Sequence, residues 1–386
     1  MHIPVTYNLR NLKMRKVTSL MTALGAALSV VVLVSVLALL TGLHASFEVT
    51  GDENHLLVLR NSSASELVSQ LSRQNFADII SHPGIKRDRA GHLMASLEMI
   101  TVVSVDLPNG GEMNVNLRGM NPVGWQMRGQ IKLASGRMFR SGAREIVVGQ
   151  AIAERCTKSR LGGTLEFGNG AWKVVGIMDG GGSAFNSEIF ADLNQVTDDY
   201  HRPNVLSSVL LEAEPGKIDG LMKSLAEDRR LPVTSQPERQ YYEKQMDSAV
   251  PVSFMGIFVA IVMAVVSVFA SMNTMNAAVA RRTSEIGVLR VLGFSSGAVL
   301  MSFLLESIFI SLFGGCIGCL LTLPLNRIET AIGSFNTWNQ LTFNFHVSPA
   351  ILIAGLFFAV AIGAIGGFLP ARSAARKHLI SSLRAH

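Results

Sequence analysis

Charged residues are scarce in this 386-residue sequence, where they make up 16% of the chain, against about 25% in soluble domains. The mean hydropathy is positive, at +0.34, so a wholly soluble fold is not expected. The formal net charge is +6, but the Lys and Arg residues cluster beside apolar runs. That placement favours a membrane protein and argues against a nucleic-acid partner.

The sequence also lacks the motifs of common nucleotide and metal sites. It contains no Walker A pattern and no HExxH zinc motif, and its nine His residues show no ligand spacing. Gly180-Gly181-Gly182 resembles part of a phosphate loop but lacks the Lys-Ser/Thr that would follow, so we interpret it as a flexible loop. We therefore expect a non-catalytic chain without a cofactor, and an ATP-driven role would need a separate ATPase subunit.

Cysteine is rare as well, with three residues in all. Cys156 is the only one in the polar segment after the first apolar run, so that segment cannot form its own disulfide. Cys316-Ile317-Gly318-Cys319 has CxxC spacing, but it lies in an apolar run where a redox pair would lack water and a zinc site would lack further ligands. We interpret these residues as small side chains that pack between helices.

Long apolar runs are what the sequence does contain. Four of them are long enough to cross a bilayer, which takes about 20 residues in a helix; they are residues 20–43, 252–279, 297–323 and 350–369. The apolar core of the first is about twice as long as that of a signal peptide, so we interpret it as an uncleaved anchor. These runs predict four transmembrane helices.

The distribution of Lys and Arg predicts the topology, because such residues accumulate on the cytoplasmic side. They lie in the N-terminal segment, between the second and third runs, and in the C-terminal tail. Arg327 is the only Lys or Arg in residues 326–349. We therefore predict a multi-pass membrane protein with both termini in the cytoplasm, and with the large segment after the first run and residues 326–349 outside.

Three regions follow along the chain. Residues 1–47 hold the first span and, before it, either an interfacial helix or a simple positively charged anchor. Residues 48–248 have the composition of a globular protein and predict one large α+β domain, inserted between the first and second spans on the periplasmic side. Residues 249–386 carry the other three spans, a short periplasmic loop and a cytoplasmic tail.

Local patterns in the large domain predict individual elements. Residues 93–107 and 112–119 flank Pro108-Asn109-Gly110-Gly111, which is a hairpin signal. Residues 65–80 and 216–228 have helical spacing. The expected N-cap of the earlier helix is one of three serines, Ser62, Ser63 or Ser65. Short strands are expected at residues 55–60, 145–149, 164–167, 172–178 and 207–212.

Between the second and third spans lies a short amphipathic segment. Thr283 or Ser284 can cap a helix there, with Glu285 in its first turn and Gly293 as its C-terminal stop. Its apolar face is predicted to consist of Ile286, Leu289 and Leu292. Ser295 or Ser296 can then cap the third span. A helix of about ten residues needs a surface to pack on, which is either lipid headgroups or a partner protein.

One acid and two glycine pairs mark the spans. Glu306 lies inside the third span, where a charge is costly unless it is paired or hydrated. We expect a structural pair with Arg10, Lys13 or Arg282, because a proton pathway would need further acids in the spans. The Gly-x-x-x-Gly pairs are Gly314 with Gly318 and Gly363 with Gly367. Such pairs allow close helix packing, either within one chain or between two subunits.

These residues resemble the FtsX-like, MacB-type family of ABC transporter permeases. Asn273-Thr274-Met275 and residues 282–293 are close to its N-T-M…E-R-T-x-E-I-G-x-L-R-A-x-G signature, and residues 367–375 resemble its G-x-x-P-A-R-x-A-A terminus. Segments between Arg118 and Ile177 follow the order seen in MacB-type periplasmic core domains. Arg281 stands where the family usually has Glu, and residues 378–384 depart from the usual tail.

The resemblance implies a dimer of permease subunits, identical or different, bound to two separate ATPase subunits that hold the ATP. The residues that would couple to the ATPase are Arg282, Ser284, Glu285, Ile286, Gly287, Leu289, Arg290, Leu292 and Gly293. Those that would pack the transmembrane helices are Asn273, Glu306, Gly314, Gly318, Gly363 and Gly367. ATP-driven movement would pass through the spans to the periplasmic domain, a process called mechanotransmission.

The function that the resemblance implies is ATP-driven efflux or envelope export, with a periplasmic adaptor as a further partner in the efflux case. Two alternatives stay open. One is an FtsX-like regulator of periplasmic cell-wall hydrolases, and the other is a permease that releases lipoproteins. The large domain is bigger than that of the hydrolase regulators, which favours transport.

Overall fold

The computed structural model of the protein describes residues 16–245, 250–333 and 340–376. The chain divides into two compact units. The membrane unit consists of Met1–Thr41, Pro251–Ile328 and Phe345–His386, and the large domain consists of Gly42–Val250 and Glu329–Asn344. The predicted interfacial helix before residue 16 and the tail after residue 376 lie outside the described residues.

The described residues form eleven α-helices and fourteen strands. The helices are α1 Lys16–Glu48, α2 Arg73–Ile79, α3 Pro122–Met127, α4 Gln150–Arg155, α5 Leu193–Asp199, α6 Ile218–Glu227, α7 Glu238–Gln245, α8 Val250–Arg281, α9 Thr283–Val291, α10 Ser296–Thr322 and α11 Pro349–Arg376. The strands are β1 His55–Arg60, β2 Leu71–Ser72, β3 Ala95–Asp106, β4 Glu112–Met120, β5 Lys132–Gly136, β6 Glu145–Gly149, β7 Thr164–Phe167, β8 Gly170–Asp179, β9 Glu188–Asp192, β10 Val205–Leu206, β11 Ser208–Glu212, β12 Val233–Pro237, β13 Glu329–Gly333 and β14 Gln340–Asn344.

Four helices are long and apolar enough to cross a membrane. The qualifying stretches are Ser19–Phe47, Ser253–Arg281, Ser296–Arg327 and Pro349–Arg376, which belong to α1, α8, α10 and α11. The predicted four-span class is therefore confirmed. Helices α1, α8 and α11 extend beyond their apolar runs because the polar flanking residues continue the backbone hydrogen bonding, whereas α10 matches its run to within one residue and is followed by a short 3₁₀-helix at Leu323–Arg327.

Glycine lets the backbones of these helices approach closely. A Cβ added at Gly314 would lie 2.2 Å from the carbonyl oxygen of Ala23 in α1, and one at Gly367 would lie 2.5 Å from the Cβ of Ser307 in α10. The other members of the two pairs, which are similarly confined, are Gly318 and Gly363. Both Gly-x-x-x-Gly pairs therefore pack within this chain, which decides between the two predicted interpretations.

Hydroxyl groups connect all four spans by hydrogen bonds. The Oγ atoms of Ser29 in α1 and Ser267 in α8 are 2.9 Å apart. Ser271 in α8 contacts Ser307 in α10 at 3.2 Å, and Ser307 donates to the carbonyl of Gly363 in α11 at 2.8 Å. In lipid, where apolar burial does not drive helix association, such bonds and close packing hold a bundle together.

The large domain is built on one mixed sheet with the strand order β12-β1-β11-β3-β4-β9-β6-β8-β5, and β7 pairs with β8. The predicted hairpin is confirmed, since β3 and β4 pair from Glu98↔Met120 to Asp106↔Glu112. The first and last strands of Gly42–Val250, β1 and β12, are antiparallel neighbours at one edge of the sheet. The chain therefore enters and leaves the sheet at the same edge.

The helix predicted over residues 65–80 is wrong in its first half. Helix α2 begins only at Arg73, and its N-cap is Ser72 rather than one of the three earlier serines. Ser72 Oγ accepts from the N–H of Asn75 at 3.0 Å, and the Asn75 side chain bonds back to the N–H of Ser72, which completes a capping box. Leu71, next to the cap, is buried and pairs with β10, so the preceding backbone is extended.

Candidate functional site

The second and third spans are joined through a helix that is almost continuous with α8. Arg282 alone separates α8 from α9, with φ −105° and ψ 21°, and it is the N-cap residue. The prediction of a cap at Thr283 or Ser284 is therefore wrong. The Thr283 hydroxyl instead donates back to the carbonyl of Val279 at 3.2 Å, a bond that Thr commonly makes to the preceding helical turn.

A buried ion pair holds this junction against the third span. Arg282 Nη1 lies 2.8 Å from Glu306 Oε2, and Arg282 Nη2 lies 3.3 Å from Glu306 Oε1. Both side chains are buried, and the guanidinium carbon is 5.9 Å from the centre of the Phe303 ring. Arg282 is thus the partner of Glu306 among the three that were predicted. A two-pronged contact of this kind fixes orientation as well as distance.

The C-terminal end of α9 is fixed by backbone geometry. Gly293 has φ +92°, and the N–H of Phe294 bonds to the carbonyl of Leu289 at 3.1 Å, as in a Schellman motif. Ser295 then caps α10, so both predicted signals are confirmed. Residues 293–297 also have the G-x-S-x-G spacing of a nucleophile elbow, but they join two helices and not a strand to a helix.

Helix α9 has two apolar faces, which differs from the prediction. Ile286 is buried and Leu289 is half-buried, whereas Leu292 is 64% exposed. Residues six apart in a helix lie about 120° apart around the axis, so Ile286 and Leu292 cannot share a face. Leu292 instead lies beside two other exposed apolar residues, Val288 at 52% and Val291 at 64%. We call Val288, Val291 and Leu292 the coupling patch.

The buried face of α9 packs into its own bundle. Ile286 belongs to an apolar cluster whose other members are Met275, Val279, Val299, Phe303, Ala371 and Ala374. These residues come from α8, α10 and α11. Helix α9 therefore rests on three spans at once, and none of the residues that the structure describes covers the coupling patch.

The large domain contains a buried ionic network that sequence analysis did not predict. Its members, each at most 4% exposed, are His55, Glu66, Glu98, Arg118, Arg128, Glu188 and Glu238. The available signal was the presence of Glu98 and Arg118 in strands whose neighbours are mostly apolar. Alternation along one strand cannot identify their partners, because those lie on other elements.

Arg118 is the centre of this network. It donates to Glu98 at 2.6 Å, to Glu188 at 2.7 Å and to Glu66 at 3.0 Å. Burial by itself disfavours the charge of Arg118, but the surrounding carboxylates outweigh it and raise its pKa well above the usual value. Each charge is costly alone, and the group is tolerable only as a set.

A second arginine extends the network. Arg128 binds both oxygens of Glu98, at 2.7 and 2.8 Å, and its Nη2 lies 3.9 Å from Glu238. Burial would raise the pKa of Glu98, but Arg128 and Arg118 together lower it to about 2. For Glu66 burial dominates and raises the pKa, although Arg118 opposes it. Four carboxyl groups thus face two guanidinium groups.

Family models match both parts of the chain. Residues 257–379 match the FtsX-like permease C-terminal model, and residues 19–226 match the MacB-like periplasmic core domain model. The second match alone covers more than half of the chain. The protein is an ABC transporter permease of the FtsX/MacB type. It is therefore a multi-pass membrane protein with a large periplasmic domain.

Two MacB relatives align with most of the length of this permease, and a third relative aligns with a shorter part of it. Two are described as macrolide export ATP-binding/permease protein MacB: that of Neisseria gonorrhoeae is 24% identical over 95% of this chain and 58% of its own, and that of Bdellovibrio bacteriovorus is 25% identical over 97% and 60%. An uncharacterised ABC transporter permease of Methanocaldococcus jannaschii is 34% identical over 29% of this chain and 28% of its own.

The permease spans about 58% of the length of the first of these MacB relatives. Among solved structures, the periplasmic region of MacB from Actinobacillus actinomycetemcomitans covers 52% of this chain and 96% of its own, with 13% identity and a TM-score of 0.38.

The structure places the predicted coupling residues of this permease on two sides. Arg282, Ile286 and Gly287 are buried toward the bundle. The exposed ones are Ser284, Glu285, Leu292 and Gly293. Leu289 and Arg290 are half-buried, and Arg290 donates to Ser296 Oγ at 3.0 Å. Arg290 thus ties the end of α9 to the start of α10.

Asn273 is exposed on α8 in this chain, so its predicted role in packing the spans of the permease stays a prediction. Its neighbour Thr274 makes the polar contact at this level, since it accepts a hydrogen bond from Thr22 in α1 at 2.9 Å. Adjacent residues on a helix point about 100° apart, and the sequence pattern alone did not distinguish the two.

Proposed function

We propose that this permease converts ATP hydrolysis in two separate ABC ATPase subunits into movement of its periplasmic domain, and that this movement drives efflux or envelope export. In this proposal it works as a dimer in the bacterial inner membrane, with both termini in the cytoplasm and with a periplasmic adaptor as a further partner. Relatives described as macrolide export ATP-binding/permease proteins support this direction.

The observation that carries the proposal is the coupling patch on a helix fixed at both ends. The Arg282–Glu306 pair holds the start of α9 to α10, and the turn at Gly293 and Ser295 leads straight into α10. A helix of nine residues would be unstable alone, but here it rests on the bundle. A push on Val291 or its neighbours therefore moves α8 and α10 together instead of unfolding α9.

The patch also has the composition of a protein-binding site. Three apolar side chains at positions i, i+3 and i+4 form a continuous surface on one face of a helix. The exposed Glu285 and Ser284 lie one turn earlier and supply a polar rim. We propose that the ATPase covers these residues, as an alternative to contact with lipid headgroups.

Val291→Asp tests this directly, because Val291 is exposed and the change leaves the bundle intact. Burying one valine contributes about 1.5–3 kcal/mol, so its loss should weaken ATPase binding at least about tenfold. The measurement is co-purification of the ATPase with the permease from membranes. Val68→Asp is the matched control, since Val68 is 58% exposed in the large domain and its substitution should leave ATPase binding unchanged. Equal recovery of ATPase with both variants would rule out the coupling patch as the docking site.

A further inference from the structure

The buried ionic network joins the first and the last segments of Gly42–Val250, the main part of the large domain. The domain follows α1, which ends at Glu48, and its last helix is α7, Glu238–Gln245, before α8 begins at Val250. Residues of the network come from the entering segment (His55) and from the departing helix (Glu238). The other members belong to the central strands and the segments between them.

Glu238 ties the entering and departing segments to each other. It is the first residue of α7, and its Oε2 accepts from the N–H of Asp52 at 3.2 Å and lies 2.8 Å from His55 Nδ1. Its other oxygen, Oε1, lies 3.9 Å from Arg128 Nη2. The buried carboxylate of Glu238, on the departing helix α7, therefore contacts both the entering segment and the interior of the network.

Two tyrosines fasten the same helix. Tyr241 Oη accepts from the N–H of Glu66 at 3.0 Å, and Tyr242 Oη lies 3.4 Å from Arg118 Nη2. Both tyrosines are buried. Helix α7 thus meets the network at three points, Glu238, Tyr241 and Tyr242, within about one turn, and it cannot shift without moving those partners.

From α7 the contacts lead directly to the middle of the sheet. Arg128 bridges Glu238 and Glu98, and Glu98 lies on β3. Arg118 joins Glu98 to the neighbouring strand β4 and, through Glu188, to β9. The path from the departing helix to three adjacent strands consists entirely of buried charged groups.

Stability alone does not account for such a path, because replacing a buried ion pair by well-packed apolar groups is often neutral or stabilising. Charged contacts in a low-dielectric interior differ from apolar ones in that they hold one geometry and resist sliding. We propose that this network is the linkage through which movement of α7 reaches β3 and β4, with Glu238 and Arg128 as its positioning residues. The inference rests on the proposed function.

Glu238→Gln tests the linkage, since glutamine has the same shape and keeps an oxygen for the N–H of Asp52 but loses the charge that faces Arg128. The matched control is Asp199→Asn. It makes the same change from acid to amide at a buried carboxylate that is paired with Arg144 at 2.7 Å and is not a member of the network. A purely structural role would lower thermal stability in both variants without distinguishing them.

The measurement is amide hydrogen exchange of residues 95–120, with and without a non-hydrolysable ATP analogue, in the full-length permease bound to its ATPase in lipid nanodiscs. ATP turnover and melting temperature are recorded alongside. We expect an ATP-dependent change in the wild type and in Asp199→Asn, and a loss of that change by at least about fivefold in Glu238→Gln while ATP turnover persists. An undiminished change in Glu238→Gln would overturn the linkage.

Tyr241→Phe covers the case in which Glu238→Gln does not fold. It removes only the hydroxyl that accepts from Glu66, and we expect it to reduce the ATP-dependent change about twofold. An unaltered response in this variant would overturn the inference as well. If the wild type itself shows no ATP-dependent change, the proposed function fails and the linkage fails with it, which is a different result from a response that survives the substitutions.

Discussion

The contact between Arg282 and Glu306 offers the sharpest test of what holds the start of α9 against α10. Arg282→Met keeps the apolar stem of the side chain but removes both hydrogen bonds to the carboxylate, at 2.8 and 3.3 Å. Removing one member of a buried ion pair costs about 3–5 kcal/mol in soluble proteins, whereas polar contacts in membrane proteins average about 0.6 kcal/mol and reach about 1.7. We expect a loss of about 2 kcal/mol, because this pair is bidentate but lies within the membrane unit.

The assay is a double-mutant cycle on the unfolding free energy in detergent micelles, using Arg282→Met, Glu306→Gln and the double variant. The double variant should recover part of the loss, with a coupling energy of about 1–2 kcal/mol. Arg290→Met is the matched control, since Arg290 is bonded to neutral oxygens of Phe294 and Ser296 and should cost less than about 1 kcal/mol. Additive effects within about 0.5 kcal/mol would show that the ion pair does not hold the junction.

Other predictions follow from the large domain. Residues 48–248 expressed alone should give a cooperative thermal melt by circular dichroism, and an aggregated product would contradict this. Because the pKa of Glu98 is lowered to about 2, the contribution of Glu98 to the stability of this domain should be complete above about pH 5 and lost as the pH falls towards 2. Glu66 acts in the opposite sense, since its raised pKa means that its contribution to the melting temperature is largest at low pH and is lost as the pH rises. Cys156 is buried and unsuited to surface labelling, but Val68→Cys should react with a membrane-impermeant thiol reagent from the periplasmic side; labelling from the cytoplasmic side alone would refute the predicted topology.

Local signals in the sequence predicted local structure well. The stop at Gly293, the cap at Ser295 and the β3–β4 hairpin each depend on residues a few positions apart, and all three are confirmed. The signals failed where two local options competed. The Thr283 hydroxyl bonds back into α8 and does not cap α9, and Ser72 with its partner Asn75 begins α2 later than predicted.

Short strands and helices were missed because they are too short to show periodicity. Strand β5 is fully exposed and strand β9 is fully buried, so neither alternates between apolar and polar residues. The hairpin of β13 and β14 lies in residues 326–349, which sequence analysis treated only as a loop. Such elements form because neighbouring strands supply their hydrogen bonds, which a single segment does not encode.

The sequence by itself determined the four spans of this permease, because about twenty apolar residues in a row favour a membrane-spanning helix without reference to the rest of the fold. Only the tertiary structure decided which charges meet. Arg282 was one of three candidates for Glu306, and His55 and Glu238 are 183 residues apart. Such contacts depend on the packing of distant segments, since a buried charge is stable only beside its partner, and one sequence carries no local mark of where that partner lies.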